Sequence, residues 1–426
     1  MHSWAYYTKR KILRLVGSVM VGLALFLVTA HAERLGIIST PSQSLATSLD
    51  LIYSAKSDIC LTRFIFNNDT SATGAIAALI DAAQRGVKVR LVVDALNNRI
   101  PKDYQAYMLE AGVEIREFNP LTRILQWNYR MHDKVFVADG QRLLLGGRNV
   151  GNEYFDVGAP KWLKVDREVI IEGEATAARA REYCDELWAS DSVVPLKLSE
   201  LDAARKKSIT LELYKHRRLI REALNTRLKG AKVEATISVD PSKVKFIHDV
   251  HGGKVQNFGV HDEILAMIEG AKKEIVIETP YLVVTEEMRR ALYAARLRGV
   301  TVMIYTNSLQ TNNQPLTQAA YETDRSAFLS HGIRLFELQG KESMHAKSIS
   351  VDRRLCFIGS YNFNSRSANL DTETGVIIED EKFTEELLSA ITRELGPRVS
   401  EIHLTDLPGG CSIFLEMTAH QLREYL

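Results

Sequence analysis

From residue 42 onward, apolar positions follow helix and strand periods in a fixed order. Residues 42–56 have helical spacing, and residues 59–66 are a β-branched and aromatic run suited to a buried strand. Residues 72–85 are Ala-rich with helical spacing, and Gly86 stops them. Residues 87–93 predict a second strand, 104–110 a helix and 113–118 a third strand. A β-α-β-α-β order predicts a largely parallel sheet with helices on its faces.

The same order returns later in the chain. Ala271-Lys272-Lys273-Glu274-Ile275 repeats Ala55-Lys56-Ser57-Asp58-Ile59 at an offset of 216. Arg298-Gly299-Val300 repeats Arg85-Gly86-Val87 at 213, and His331-Gly332-Ile333 repeats Ala111-Gly112-Val113 at 220. The drift marks small loop insertions and deletions. The period is too long for a solenoid, so two copies predict a pseudo-symmetric bilobal protein. We expect one α/β domain over residues 33–191, a linker over 192–245, a second domain over 246–396 and a short tail over 397–426.

The linker differs in composition. Between Arg205 and Lys232 ten basic residues face only Glu212 and Glu222, while Leu213, Ile220, Leu224 and Leu228 recur at roughly helical spacing. Two readings fit: a basic amphipathic helix on an anionic membrane surface, or a solvated helix with one face on the core.

At the N-terminus, Lys9, Arg10, Lys11 and Arg14 precede an apolar run over residues 15–30, and Ala30-His31-Ala32 fits a cleavage site. This predicts a signal peptide, or an uncleaved anchor as the alternative. In either case the folded part begins near Glu33 and faces an extracytoplasmic space, periplasmic or at a membrane. Formal net charge is +1, but beyond residue 32 there are 50 basic and 53 acidic residues. A strongly basic nucleic-acid binder is not indicated. The four cysteines show no metal or C-x-x-C spacing, and Cys60 and Cys356 sit in apolar runs where a buried thiol is expected.

One stretch carries chemistry. Met131-His132-Asp133-Lys134-Val135-Phe136-Val137-Ala138-Asp139 reads His-x-Lys-x4-Asp, followed by Gly146-Gly147-Arg148-Asn149. It recurs as His345, Lys347, Asp352 and Gly359-Ser360-Tyr361-Asn362, every position offset by 213. A chance match to three fixed residues occurs at roughly one start position in ten thousand. Two hits with matching tails at one offset are therefore a duplicated site.

Residues i and i+2 on a strand share a face, so each His and Lys aim at one point. Asp139-Gly140 also suits a hairpin turn, which by itself would explain Asp139. Two facing sets supply two His, two Lys and two Asn, which is a site for a tetrahedral anion. His132, Lys134, Asp139, His345, Lys347 and Asp352 form the candidate catalytic set. Asn149 and Asn362, with Gly147 and Ser360 of the tails, are the candidate substrate-binding positions. Lys and Asn donate to phosphate oxygens; one His attacks phosphorus and the other protonates the leaving oxygen. Water then gives hydrolysis and an alcohol gives transfer. No cofactor or divalent metal is required, and no carboxylate cluster has ligand spacing. Each His also needs an orienting acceptor. Asp166 and Glu373, each before an apolar strand, are the candidates.

These residues resemble the phospholipase D superfamily, whose mark is a duplicated HxKxxxxD motif with a G-[SG]-x-N tail. The resemblance spans about residues 42–395. It implies one active site between two α/β/α lobes with mixed, mostly parallel sheets. It also implies His132 as nucleophile, His345 as general acid, and Asp139 and Asp352 as support residues. Within the superfamily the chain is most similar to bacterial cardiolipin synthases and their relatives. Residues 130–134 and 146–155, Glu278-Thr279-Pro280-Tyr281, Thr306-Asn307-Ser308-Leu309 and residues 362–367 carry that likeness. Val165-Asp166-Arg167-Glu168 stands where an Arg-Asp pair is usual, which leaves open whether Asp166 or Glu168 orients His132. The two N-terminal spans of the main synthase group are not seen.

The expected function is a phosphatidyltransferase making cardiolipin from phosphatidylglycerol at a membrane surface, which the chain would touch through its N-terminal segment and basic linker. One chain supplies the whole site, and no nucleic-acid partner is expected. A phospholipase D hydrolase releasing phosphatidic acid and an exported metal-independent nuclease are the alternatives.

Overall fold

A computed structural model describes residues 32–120, 122, 126–250, 259–406, 418 and 421–426. The N-terminal segment expected as a signal or anchor lies outside the described residues, as does Cys411.

The first half runs β1 (Glu33–Ile38), α1 (Pro41–Ser54), β2 (Asp58–Arg63), α2 (Thr70–Gln84), β3 (Lys88–Asp94), α3 (Lys102–Glu110) and β4 (Val113–Phe118). It continues through β5 (Arg130–Met131), β6 (Val135–Ala138), β7 (Arg142–Gly146), α4 (Asn152–Phe155), β8 (Lys164–Val165), β9 (Glu168–Glu172) and α5 (Glu174–Ala189). Then come β10 (Val193–Pro195), α6 (Ala203–Asn225) and β11 (Ile237–Val239). The second half runs β12 (Val244–His248), α7 (Gly259–Gly270), β13 (Glu274–Glu278), α8 (Glu286–Leu297), β14 (Thr301–Asn307), α9 (Pro315–Ser330) and β15 (Arg334–Leu338). It ends with β16 (Ser343–Met344), β17 (Ser348–Val351), β18 (Leu355–Gly359), α10 (Ser365–Asn369), β19 (Asp371–Thr372), β20 (Thr374–Glu379), α11 (Glu381–Leu395) and β21 (Val399–Ile402).

Local chemistry sets the boundaries. Thr40 and Gln43 form a reciprocal cap at the start of α1, with Pro41 in its first turn. Gly86 and Gly299, matched in the repeat, have φ of +89° and +88° just after α2 and α8. Only glycine turns there without strain, which is why both copies keep it.

Each half builds one mixed sheet. The first has the order β10-β4-β3-β2-β6-β7-β9-β1-β11, the second β12-β20-β18-β17-β13-β14-β15-β21. The parallel pairings are β2-β3-β4 and β13-β14-β15, the blocks built by β-α-β-α-β. The other ladders within these two sheets are antiparallel, and the motif strands return as hairpins: Val135 pairs Leu145, and Ser348 pairs Ile358. The two-lobed α/β architecture is therefore as expected, and the mostly parallel character belongs to those three-strand blocks.

Alternation along β6 divides the cores. Phe136 points to the outer layer, under α1 to α4 and α6. Val135 and Val137 point inward to a core that includes Ile171, Val276, Ile358 and Ile378 from both sheets. Helices α5 and α11 fill the space between the sheets with Tyr183 and Leu187, Phe383, Leu387 and Ile391. One apolar cluster thus ties the lobes together at the base of the site. The expected burial of Cys60 and Cys356 holds; with Cys184, both are buried free thiols.

The expected linker over 192–245 is a correction. Its ends are strands β10 and β11 of the first sheet, and β12 of the second sheet begins at Val244. Between them α6 buries Ile209 and Leu213. Ion pairs from Arg205 to Asp103, Lys206 to Glu110 and Arg217 to Asp81 fasten it to α3 and α2. The segment is part of the first lobe. The tail is corrected too, since β21 extends the second sheet through Leu338–Val399 pairing.

Candidate active site

Two short parallel ladders cross between the lobes. β5 of the first motif pairs with β19 of the second lobe, Met131 opposite Thr372. β16 of the second motif pairs with β8 of the first lobe, Met344 opposite Val165. His132 N donates to Thr372 O at 2.9 Å, and His345 N donates to Val165 O at 2.7 Å. The residue after β5 and β16 is a histidine, and the residue after their partners β19 and β8 is a carboxylate.

The carboxylates are therefore exchanged. Glu373 of the second lobe holds His132 Nδ1, with both oxygens at 3.0 Å. Asp166 of the first lobe holds His345 Nδ1 at 2.6 Å. Asp166 and Glu373 are the orienting pair, but the expectation that Asp166 or Glu168 serves His132 is corrected. Glu168 points away, accepting from Ser44 at 2.5 Å and lying 3.1 Å from Arg148. Sequence order hides this exchange because it arises from strand pairing between lobes.

Both lysines sit beside their own histidine: Lys134 Nζ donates to His132 O, and Lys347 Nζ to His345 O. Each imidazole makes a T-shaped contact with an aromatic ring, His132 with Phe64 at 4.7 Å between centroids and His345 with Tyr154 at 5.3 Å. His132 is 5% exposed and His345 6%, so only a small part of each ring reaches solvent. The motifs are close enough that Lys347 acts electrostatically on His132 and Lys134 on Lys347.

Burial pushes His132 down to about 4, against the pull of Glu373. Burial, and then the Lys347 ammonium, holds His345 well below the usual range. Both imidazoles are thus neutral at neutral pH. Burial raises Asp166, but His345 and the neighbouring cations outweigh it and bring it to about 2. That direction holds with a neutral imidazole, because Nδ1–H still donates and Arg148 still faces the carboxylate. Glu373 is lowered in the same way, burial being overcome by His132 and Lys134. Each dyad is then an anionic carboxylate fixing the tautomer that leaves Nε2 unprotonated. Burial also brings Lys134 to about 8.

The remaining candidates divide. Asn149 is held at both ends, Oδ1 by Ile65 N at 3.1 Å and Nδ2 on Tyr154 Oη at 2.9 Å. Asn362 keeps a buried Oδ1 without a partner. Gly147 and Ser360 are corrected from substrate-binding to carboxylate-supporting positions. A Cβ on Gly147 would lie 2.1 Å from Asp166 Oδ1, so glycine makes room for that carboxylate. The matched Ser360 donates to Glu373.

Asp139 and Asp352 fit the support role that the resemblance implies and not a place in the catalytic set: they stand at the far ends of β6 and β17, away from the histidines. Asp139 accepts from Lys56, Ser57 and Asp58 N–H groups at 3.0, 2.7 and 3.1 Å. Asp352 accepts from Lys272, Lys273 and Glu274 at 2.9, 2.7 and 3.0 Å. Their left-handed φ values, +55° and +53°, make the hairpin turns. Arg148 donates to Tyr154, Ser39 and Asp166 carbonyls, and Tyr321 donates to Glu337.

Sequence reasoning missed three supports. Buried Asp249 accepts from Glu373 N at 2.9 Å and Val260 N at 3.0 Å, and burial pushes it up to about 8. Asp94 and Arg130 form a buried ion pair at 2.8 Å beside Met131. Arg167 crosses the lobes to Glu278 at 2.7 Å. Two of these, Arg130 and Glu278, lie in the stretches that carried the family likeness.

Comparison with known proteins agrees with this geometry. The family described as cardiolipin synthase, PLD-like domain, matches residues 49–188 and 264–394. Cardiolipin synthase C of Escherichia coli is 31% identical over 359 residues, covering 75% of this chain and 75% of that protein. Cardiolipin synthase of Clostridium perfringens is 26% identical over 359 residues, covering 81% and 66%. Phosphatidylserine synthase of Haemophilus influenzae shares the fold, with a TM-score of 0.71 at 18% identity over 92% of this chain and 95% of that one.

Proposed function

The chain belongs to the phospholipase D-like family described as cardiolipin synthase, and we propose that it joins two phosphatidylglycerols into cardiolipin and glycerol through a phosphohistidine. It is an enzyme of phospholipid transfer. The observation that carries the proposal is the crossed pair of dyads, His132–Glu373 and His345–Asp166, each presenting Nε2 from a neutral imidazole.

His132 Nε2 attacks the donor phosphorus and forms a P–N bond while the P–O bond to glycerol breaks. Lys134 and Lys347 stabilise charge on the non-bridging oxygens, with Asn362 and Asn149 beside them. A bound phosphodiester anion raises the affinity of His345 for a proton, and Asp166 at 2.6 Å supports the imidazolium. His345 gives that proton to the departing glycerol oxygen. The neutral His345 then takes the proton of an acceptor hydroxyl, which attacks phosphorus and releases His132. The acceptor is an alcohol of a second phosphatidylglycerol.

Contact with the membrane runs through the exposed face of α6, where Lys207, Lys215, Arg218 and Arg221 surround exposed Leu211 and Tyr214. No helix among the described residues is long and apolar enough to cross a membrane. An extracytoplasmic site is part of the proposal and rests on the N-terminal sequence alone.

The test is purified protein on phosphatidylglycerol vesicles, followed by mass spectrometry. Cardiolipin and free glycerol in equal amounts are expected. Phosphatidic acid in place of cardiolipin would replace transfer with hydrolysis.

A further inference from the structure

A cavity of about 340 Å³ lies on the outer face of the first sheet, and none of the paired His or Lys residues lines it. Much of its wall is hydrocarbon: Leu61 and Phe136 from the sheet, Leu49 of α1, Leu79 of α2, Ile220 of α6. Leu219 both lines it and is 48% exposed, so the cavity opens beside α6.

Polar side chains line it too, among them exposed Asp156 and Arg227 and half-buried His216, but of the charged ones only Arg63 is buried. Arg63 ends β2, shares the outer face with Ile59 and Leu61, lines the cavity and is 5% exposed. Its Nη1 donates only to main-chain oxygens, Thr62 at 2.8 Å and Val135 at 3.1 Å. Its buried Nε has no partner. No carboxylate among the described residues lies within ion-pair distance of it. Glu168, the acid that acts on it from farther away, is already taken by Ser44 and Arg148. Burial brings the guanidinium down to about 10, so it is still a cation at neutral pH.

A buried cation without an anion is costly, and an apolar cavity without hydrocarbon forfeits dispersion contacts. One ligand answers both. We propose that this cavity binds a long-chain fatty acid, its carboxylate on Arg63 and its chain along Leu61, Phe136 and Ile220. A planar carboxylate matches the fork of a guanidinium. The volume is near the lower end of small-molecule pockets, roughly 300–1,000 Å³, which suits one chain rather than a two-chain phospholipid. This site is separate from the transfer chemistry.

The test is displacement of a fluorescent fatty acid, parinarate, from purified full-length protein by palmitate, hexadecanol or lysophosphatidylglycerol. Palmitate should displace about tenfold better than hexadecanol, as a charge-assisted contact implies. Ala75→Phe, which fills the cavity from α2, should weaken palmitate by about tenfold or more while melting near wild type. Arg63→Gln should erase the preference for palmitate and leave hexadecanol unchanged. His132→Ala should bind palmitate as wild type does, which separates this site from the transfer proposal. Equal displacement by palmitate and hexadecanol in the wild type would overturn the proposal, whatever the variants do. So would stronger displacement by lysophosphatidylglycerol, or wild-type binding by folded Ala75→Phe.

Discussion

Glu373 reaches from the second lobe to hold Nδ1 of His132 in the first, both carboxylate oxygens at 3.0 Å. Asp166 does the reverse for His345. Neither half of the repeat can assemble a working dyad alone, so the lobe interface is itself part of the catalytic machinery.

The exchange predicts which variants fail together. His132→Ala and His345→Ala should each abolish turnover and leave the melting temperature near wild type. Glu373→Gln should behave as a nucleophile defect and Asp166→Asn as an acid defect, each costing about 10²–10⁴ in kcat. A phosphodiester with a nitrophenol leaving group needs no proton on departure. It should restore most of the first-turnover burst of nitrophenol in His345→Ala and Asp166→Asn, which still lack the base for the second step, and none of it in His132→Ala and Glu373→Gln. Rescue in the opposite pairs would reverse the assigned roles.

The titration directions predict a pH profile. His132, brought to about 4 by burial, is neutral and nucleophilic above that value. An exposed histidine would lose the same capacity near its ordinary value of about 6.5. Lys134, brought to about 8 by burial, loses its charge above that value. On a phosphodiester with a nitrophenol leaving group, which needs no proton from His345, kcat/KM should therefore fall below about 4, and its alkaline limb should lie no higher than about 8, because burial lowers Lys347 as well as Lys134. Lys134→Arg combined with Lys347→Arg should move the alkaline limb upward, since a guanidinium stays charged there. Stability carries a matching sign: the unfolded chain takes a proton on His132 from about 6.5 downward, whereas the folded one waits until about 4. Stability should decline through that window, as a melting series would show.

Much of this was legible in residue order. The offset of 213 identified both His-Lys pairs, and the glycine after each second helix marked where the copies align. Periodicity gave β2, α2, β3, α3 and β4 to within a few residues. What it could not give was anything fixed by pairing between distant strands. β5 with β19 and β8 with β16 decide which carboxylate serves which histidine, and each ladder is only two residues long. The linker was misplaced for a related reason. Its charges suggested a solvated segment, but their partners Asp81, Asp103 and Glu110 lie on helices far away in sequence.

The matched pair Gly147 and Ser360 predicts unequal effects from equal-looking substitutions. Gly147→Ala places a methyl where Asp166 Oδ1 sits, at 2.1 Å. The carboxylate must leave His345, so kcat should fall by about 10²-fold or more, with the acid-type rescue described above. Ser360→Ala removes one donor from Glu373, which keeps Ser367 at 2.5 Å and the Glu373 contact to His132. That variant should lose only about tenfold, in line with one hydrogen bond to a charged group. Equal losses in the two would show that the glycine serves the backbone and not the carboxylate.

Asp139 and Asp352 separate stability from chemistry. Each carboxylate gathers three main-chain N–H groups on the loop before β2 or β13, at the end of the strand remote from the histidines. Burial is the largest single effect and raises both carboxyls, but the N–H groups together outweigh it and hold them below the usual range, so each adds stability above the unfolded value and loses it as pH falls. Asparagine accepts the left-handed turn and keeps one acceptor oxygen. Asp139→Asn and Asp352→Asn should therefore each cost about 1–2 kcal/mol, the lower part of the range for charged hydrogen bonds because both sites are partly solvated. The kcat of the remaining folded enzyme should stay within about twofold of wild type, because no atom of either residue reaches the phosphate. A collapse of kcat at unchanged melting temperature would return the aspartates to the catalytic set that their place in the motif first suggested.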